Sequence, residues 1–138
     1  IPGTDGEKMS KSKNNIINIF LPEKQLRKQV MGIQTDSTPL EEPKNPDTCN
    51  VFALYKLLAP EAEVIQMRKN YEAGNYGYGH AKQALYETLL SKFETPRERY
   101  HYYMEHLDEI DKALQVGAKK ATLVANEVLK RVRATAGY

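Results

Sequence analysis

At 138 residues, 41% hydrophobic and 28% charged, the chain has room for one packed core and part of a second domain. Its single cysteine, Cys49, excludes an internal disulfide framework and a cysteine-based zinc site, and suits a reduced, cytosolic compartment. No apolar run approaches the ~20 residues of a membrane span, and a net charge of +2 is too small to require a nucleic-acid partner, so the placement of charge carries more weight.

The chain opens IPGTDGEKMSKSKNN. Residues 1–13 are Gly-rich, polar and without period, which predicts a loop. Ile1-Pro2-Gly3-Thr4-Asp5-Gly6 reads as a loop already in progress, with no signal-peptide pattern, and so as a piece of a longer protein. A short apolar run, Ile16 to Phe20, precedes Pro22, which suits the first position of a helix. Leu26, Val30 and Ile33 then recur at helical spacing, predicting a helix over about 22–32 that Gly32 ends.

Residues 34–47 hold three prolines and no apolar period and are read as a loop, with Asp47 as the cap of the next helix. In that helix, short and buried, Val51, Leu54, Tyr55 and Leu58 share one face. Pro60 starts another, faced by Val64, Met67, Arg68 and Tyr71 and ended by Gly74. Residues 75–79 form a turn, and Ala81, Ala84, Leu85, Leu89 and Phe93 mark a helix of about 79–93. Thr95-Pro96-Arg97-Glu98 predicts the next start twice over, as Pro at the first position and as a capping box. Tyr100, Tyr103 and Leu107 are placed on its inner side.

From Leu107 to Val132 apolar residues recur every three or four positions, an amphipathic stripe. Lys112, Lys119, Lys130 and Arg133 lie nearly opposite, and Gly117 is a possible break. Residues 118–138 hold five Lys/Arg against one Glu. The fold class is therefore mainly α, a bundle of about six helices after a Gly-rich basic loop.

Lys8, Lys11 and Lys13 come after two glycines that let the backbone bend close to a ligand. Lysines on such a loop can deliver point charges to a polyphosphate as it loses pyrophosphate, with Ser10 and Ser12 adding hydroxyl donors. The plainer reading is a solvated surface segment. A Walker A loop does not fit, because Gly6 is followed by Glu7. His80, His101 and His106 have no metal-ligand spacing. Simple burial is the simplest reading of Cys49.

KMSKS at 8–12 resembles the second signature motif of the class I aminoacyl-tRNA synthetases. Its context, GTDGEKMSKSKNNIINIF, is similar to the tryptophanyl-tRNA synthetases. So are Thr35-Asp36-Ser37, EEPKNPDTCNVFALYKLL at 41–58, YGYGHAK at 76–82, ERY at 98–100 and GAKKATLVANEVLKRVRATAG at 117–137. The resemblance runs the length of the chain and is to the bacterial form.

It implies an enzyme that activates L-tryptophan with ATP, releases pyrophosphate and transfers the tryptophanyl group to tRNA(Trp). Lys8, Met9, Ser10, Lys11 and Ser12 are then the ATP-binding motif. Lys11 is nearest the phosphates, Lys8 assists it, and both are catalytic. Asp5 stands near the ATP ribose or shapes the turn. Mg2+ arrives with ATP rather than at a protein site. Residues 1–20 would end the catalytic domain and 21–138 would form the helical anticodon-binding domain. The catalytic Rossmann domain lies upstream in the family and is absent here.

The resemblance also implies a cytoplasmic homodimer at full length, with no membrane partner and no activity in the isolated segment. Residues 1–14 are expected to be poorly ordered, or held only by neighbouring contacts. Two alternatives stand beside this: a stand-alone helical RNA-binding or adaptor module without chemistry, and a relative of the tyrosyl enzymes.

Overall fold

The computed structural model describes residues 1–137. They form six α-helices and one 3-10 turn: α1 (Glu23–Met31), the turn (Pro46–Thr48), α2 (Asn50–Lys56), α3 (Glu61–Ala73), α4 (Tyr78–Lys92), α5 (Glu94–Glu105) and α6 (Leu107–Ala136). The only β pairing among the described residues is an isolated antiparallel bridge between Pro2 and Lys8. The chain divides into two compact units, Ile1–Arg97 and Glu98–Tyr138.

In the first unit α4 packs against α1 and α2, and α3 packs against α2. The apolar periods predict this core well. Leu26, Val30, Ile33, Val51, Tyr71 and Leu85 are all but completely buried. Tyr71 lies at the centre, with ring centroids 5.8 Å from Phe52, 5.7 Å from Tyr76 and 6.0 Å from Tyr78. Its hydroxyl meets the buried Cys49 Sγ at 3.4 Å. Burial drives the Tyr71 phenol pKa far upward, so it stays a neutral hydrogen-bonding group.

The proline-rich loop is fastened by one buried lysine. Lys44 is 4% exposed, and its Nζ donates to the carbonyls of Pro39 (2.6 Å), Leu40 (3.2 Å) and Glu42 (3.0 Å). Its backbone N–H donates to Tyr71 O at 2.7 Å, and the ammonium lies 5.5 Å from the centre of the Tyr78 ring. A buried ammonium is tolerated here because its three donors all have carbonyl partners.

Three local expectations are corrected. Asp47 does not cap α2. Asn45 caps the 3-10 turn by accepting the Asp47 N–H at 2.9 Å, Cys49 occupies the N-cap of α2, and the Asp47 carboxylate pairs with Arg68. The Thr95 capping box is not used, because α5 already begins at Glu94, leaving Thr95 inside the helix. Its anchor is Arg97, 9% exposed, whose guanidinium donates to the carbonyls of Ile19 and Leu21. Tyr100, Tyr103 and Leu107 are exposed rather than inward-facing.

The second unit holds the remainder of α5 and the long α6. The helix runs unbroken through Gly117 and buries none of its residues. Its apolar stripe is present, but Leu114, Leu123, Val124 and Val132 are more than half exposed. The Tyr102 and His106 rings stack at 4.1 Å near the junction of α5 and α6, with Tyr102 Oη donating to Glu109 Oε1 at 2.6 Å. No helix among the described residues is long and apolar enough to cross a membrane.

Candidate functional site

Residues 1–15 form a hydrogen-bonded turn of backbone. The Pro2–Lys8 bridge is flanked by Met9 N–H donating to Ile1 O (3.1 Å) and Gly3 N–H donating to Glu7 O (2.7 Å). Thr4 N–H reaches Asn15 O at 2.9 Å, and Gln34 N–H, just beyond α1, reaches Thr4 O at 2.7 Å. Two glycines make the path possible. Gly6 has φ +84°, a left-handed conformation that side chains disfavour, and a Cβ there would stand 2.7 Å from the Asn50 amide. A Cβ on Gly3 would stand 2.5 Å from Asn15 Cγ.

Asn15 fills the space so created. It is 2% exposed. Its Oδ1 accepts the Ser10 N–H at 2.7 Å, and its Nδ2 donates to Asp5 Oδ1 at 2.8 Å and to Lys8 O at 3.2 Å. Asp5 Oδ1 also accepts the Glu7 N–H at 3.0 Å. These hydrogen bonds, that from Asn15 first, hold the Asp5 carboxyl below the usual aspartate pKa. Asp5 is thus hydrogen-bonded within the turn, to Asn15 and to the Glu7 N–H.

The five motif residues separate by direction. Lys8, Lys11 and Ser12 are exposed. Neither Lys8 nor Lys11 has an ion-pair or hydrogen-bond partner for its ammonium among the described residues, whereas Lys13 pairs with Glu7 at 3.5 Å. Ser10 and Ser12 hydroxyls lie 2.8 Å apart. Met9 is half-buried and lines an apolar groove with Ile17, Ile19, Leu54 and Leu89. Two exposed, unpaired ammonium groups with the Ser10 hydroxyl between them in the chain, on a hydrogen-bonded turn, can neutralise a polyanion. Asn15 is missed by motif reading; its only signature is the Asn14–Asn15 pair closing the lysine run.

A second polar cluster joins the 34–38 loop to α4. Tyr78 Oη donates to Asp36 Oδ1 at 2.6 Å, and the same oxygen accepts the Thr38 N–H at 2.9 Å. Thr35-Asp36-Ser37 thus forms a side-chain-capped turn. The hydrogen bond from Tyr78, then that from Thr38, lowers the Asp36 pKa. Burial first, and the Asp36 contact second, push the Tyr78 phenol up to about 12.

A carboxyl with a depressed folded pKa contributes stability above its unfolded value and loses it as pH falls through the folded one. The Asp36→Asn protein is therefore expected to melt below the wild type at pH 7. The gap should close as pH falls below the ordinary aspartate value of 3.8, because a protonated aspartic acid and an asparagine are both neutral acceptors. Thermal unfolding from pH 7 to 2.5 measures this; a gap that stays constant excludes the assignment.

In the second unit Lys119, Lys120, Arg131 and Arg133 are exposed and unpaired among the described residues. Lys112 and Lys130 pair within α6 with Asp108 (2.9 Å) and Glu127 (3.3 Å). Exposed helix pairs of this kind contribute little to stability.

Residues 1–94 match the family described as tRNA synthetases class I (W and Y). The chain is 45% identical over 137 residues to the tryptophan–tRNA ligase of Fusobacterium nucleatum, covering 99% of this chain and 42% of that protein. It is 44% identical to that of Rhodopirellula baltica, covering 99% of this chain and 43% of the relative. Among solved structures, the tryptophanyl-tRNA synthetase of Campylobacter jejuni complexed with ADP and tryptophan matches with a TM-score of 0.94 at 40% identity, covering 100% of this chain and 43% of that one. The chain thus spans about two fifths of the length of these relatives. Similarity of this extent, over a fold with the same path, places it without ambiguity: the chain belongs to the class I tRNA synthetases of the tryptophan and tyrosine group.

Proposed function

We propose that this chain is the C-terminal portion of a tryptophan–tRNA ligase. It supplies the lysine turn that acts on ATP, in residues 1–20, and the helices that hold the anticodon arm of tRNA(Trp), in residues 21–138. The observation that carries the reading is the pair of unpartnered lysines, Lys8 and Lys11, on a turn fixed by Asn15.

In the reaction the tryptophan carboxylate attacks the α-phosphorus of ATP. The bond to the bridging oxygen breaks, and pyrophosphate leaves with the electron pair. Negative charge grows on the leaving group, and Lys11, assisted by Lys8, stabilises it there. An interaction that strengthens as the bond breaks raises the rate rather than merely tightening substrate binding. Mg2+ enters with ATP as part of the substrate. The exposed Lys and Arg of α6 are suited to phosphates of the tRNA, giving a salt-dependent affinity. The exposed tyrosines of α5 are suited to stacking on unpaired bases. The reading includes a cytoplasmic, homodimeric full-length enzyme.

The test is amino-acid-dependent ATP–pyrophosphate exchange by the full-length protein, followed by aminoacylation of tRNA(Trp). Exchange with tryptophan and not tyrosine is expected, with none from the 138-residue segment alone. Tyrosine-dependent exchange, or turnover by the isolated segment, would overturn the proposal.

A further inference from the structure

Resting on the tryptophan–tRNA ligase reading, we infer that Asn15 is a positioning residue for adenylate formation. Its side-chain amide fixes the backbone that carries Lys8 and Lys11, and it does so without touching substrate.

The geometry leaves the amide one orientation. Nδ2 faces two acceptors, the Asp5 carboxylate oxygen at 2.8 Å and the Lys8 carbonyl at 3.2 Å, while Oδ1 faces one donor, the Ser10 N–H at 2.7 Å. Turning the amide over would set oxygen against two oxygens and nitrogen against N–H. Both amide hydrogens are thereby used, and Asn15 is 2% exposed, so water does not compete for them.

The connections matter for the lysines in particular. The amide holds the carbonyl of Lys8 itself and the N–H of Ser10, the residue before Lys11. The chain then turns through 11–14, where Asn14 N–H donates to Lys11 O at 3.2 Å with Asn14 at φ 52°, and returns to Asn15. Lys11 therefore lies in a short arc held at its Ser10 end by the Asn15 side chain and closed at the other by the Asn15 backbone. Gly3 admits that side chain, since any Cβ there would occupy its place. Asp5 is held in turn through the same Nδ2. A bond network spent on backbone directly beneath two unpaired ammonium groups preorganises their charge. Small displacements of such groups cost on the order of 10²-fold in rate.

The test is made on the full-length enzyme. Asn15→Asp is nearly isosteric but presents a carboxylate oxygen to the Asp5 carboxylate and the Lys8 carbonyl. It is expected to lower kcat for pyrophosphate exchange by roughly 10²-fold, with the KM for tryptophan within about twofold, because a displaced lysine weakens transition-state rather than ground-state contacts.

The deciding measurement repeats the substitution in a Lys11→Ala background. A residue that acts through the lysine has little left to lose there, whereas a general loss of structure lowers kcat by the same factor in both backgrounds. A small further loss supports the inference; an equal factor overturns it, as does a wild-type kcat in the single variant. Should Asn15→Asp fail to accumulate as folded protein, Asn15→Ala, which adds no charge, is read through the same cycle. A wild-type enzyme without tryptophan-dependent exchange would overturn the proposed function and this inference with it, which separates that failure from one at Asn15 alone.

Discussion

Replacing Lys11 with alanine in the full-length enzyme is expected to lower kcat for tryptophan-dependent pyrophosphate exchange by roughly two to three orders of magnitude, the usual consequence of removing one preorganised charge or donor from a developing anion. Its stability should barely change. Lys11 is exposed and its ammonium has no partner among the described residues, and surface substitutions of that kind usually shift stability by no more than about 0.5 kcal/mol. The KM for tryptophan should be unaffected, since the proposal has the lysine act on the phosphates. Lys8→Ala should show a smaller loss of the same type. A Lys11→Ala enzyme with wild-type kcat, or one whose only defect is a lowered melting temperature, would remove the lysine from the chemistry.

The largest structural effect is expected at Tyr71. Truncation to alanine removes a fully buried ring that touches Phe52, Tyr76 and Tyr78 together with its contact to Cys49. Large-to-small changes of buried aromatics cost about 3–5 kcal/mol, because the cavity collapses only in part. For a unit of this size each kcal/mol lowers Tm by roughly 4–8 °C, so the helical unit should unfold at least ~12 °C earlier.

Tyr71→Phe keeps the ring and gives up only the hydroxyl contact, which is worth about 0.5–1.5 kcal/mol. Chemical denaturation of the two variants separates ring packing from hydrogen bonding; equal losses would show that the hydroxyl, not the ring, organises this core. Because the Tyr78 ring that packs on Tyr71 also lies 5.5 Å from the Lys44 ammonium, Tyr71→Ala should loosen the proline-rich loop as well, seen as faster amide exchange over residues 39–44.

Where apolar residues recur at helical spacing, the helices and their buried faces were legible without the structure. Leu26, Val30 and Ile33 in and just beyond α1, and Ala81, Leu85 and Leu89 in α4, are buried as the spacing predicts. That pattern is local and needs only the 3.6-residue period. Helix starts were less legible. The Thr95 capping box is a sound local signal, yet α5 starts at Glu94 and is anchored by Arg97 reaching carbonyls more than seventy residues earlier. Tertiary contacts outweighed about a kcal/mol of capping preference.

The lysine motif, too, was readable as a string of letters. Its support was not. Asn15, Asp36 with Tyr78, and Lys44 are polar residues whose roles depend on which donors and acceptors the folded chain brings into hydrogen-bonding range, and sequence spacing carries no such information. Nor does it say what covers a face. The amphipathic stripe of α6 was plain in the sequence, and its exposure became visible only in the fold.

By itself, then, the sequence determined the helices and most of the core of the first unit, and it supplied the two lysines that the proposal rests on, because period and motif are properties of neighbours along the chain. The tertiary structure alone decided that one buried amide, Asn15, is hydrogen-bonded to the backbone of the lysine turn, because a hydrogen bond is a meeting in space.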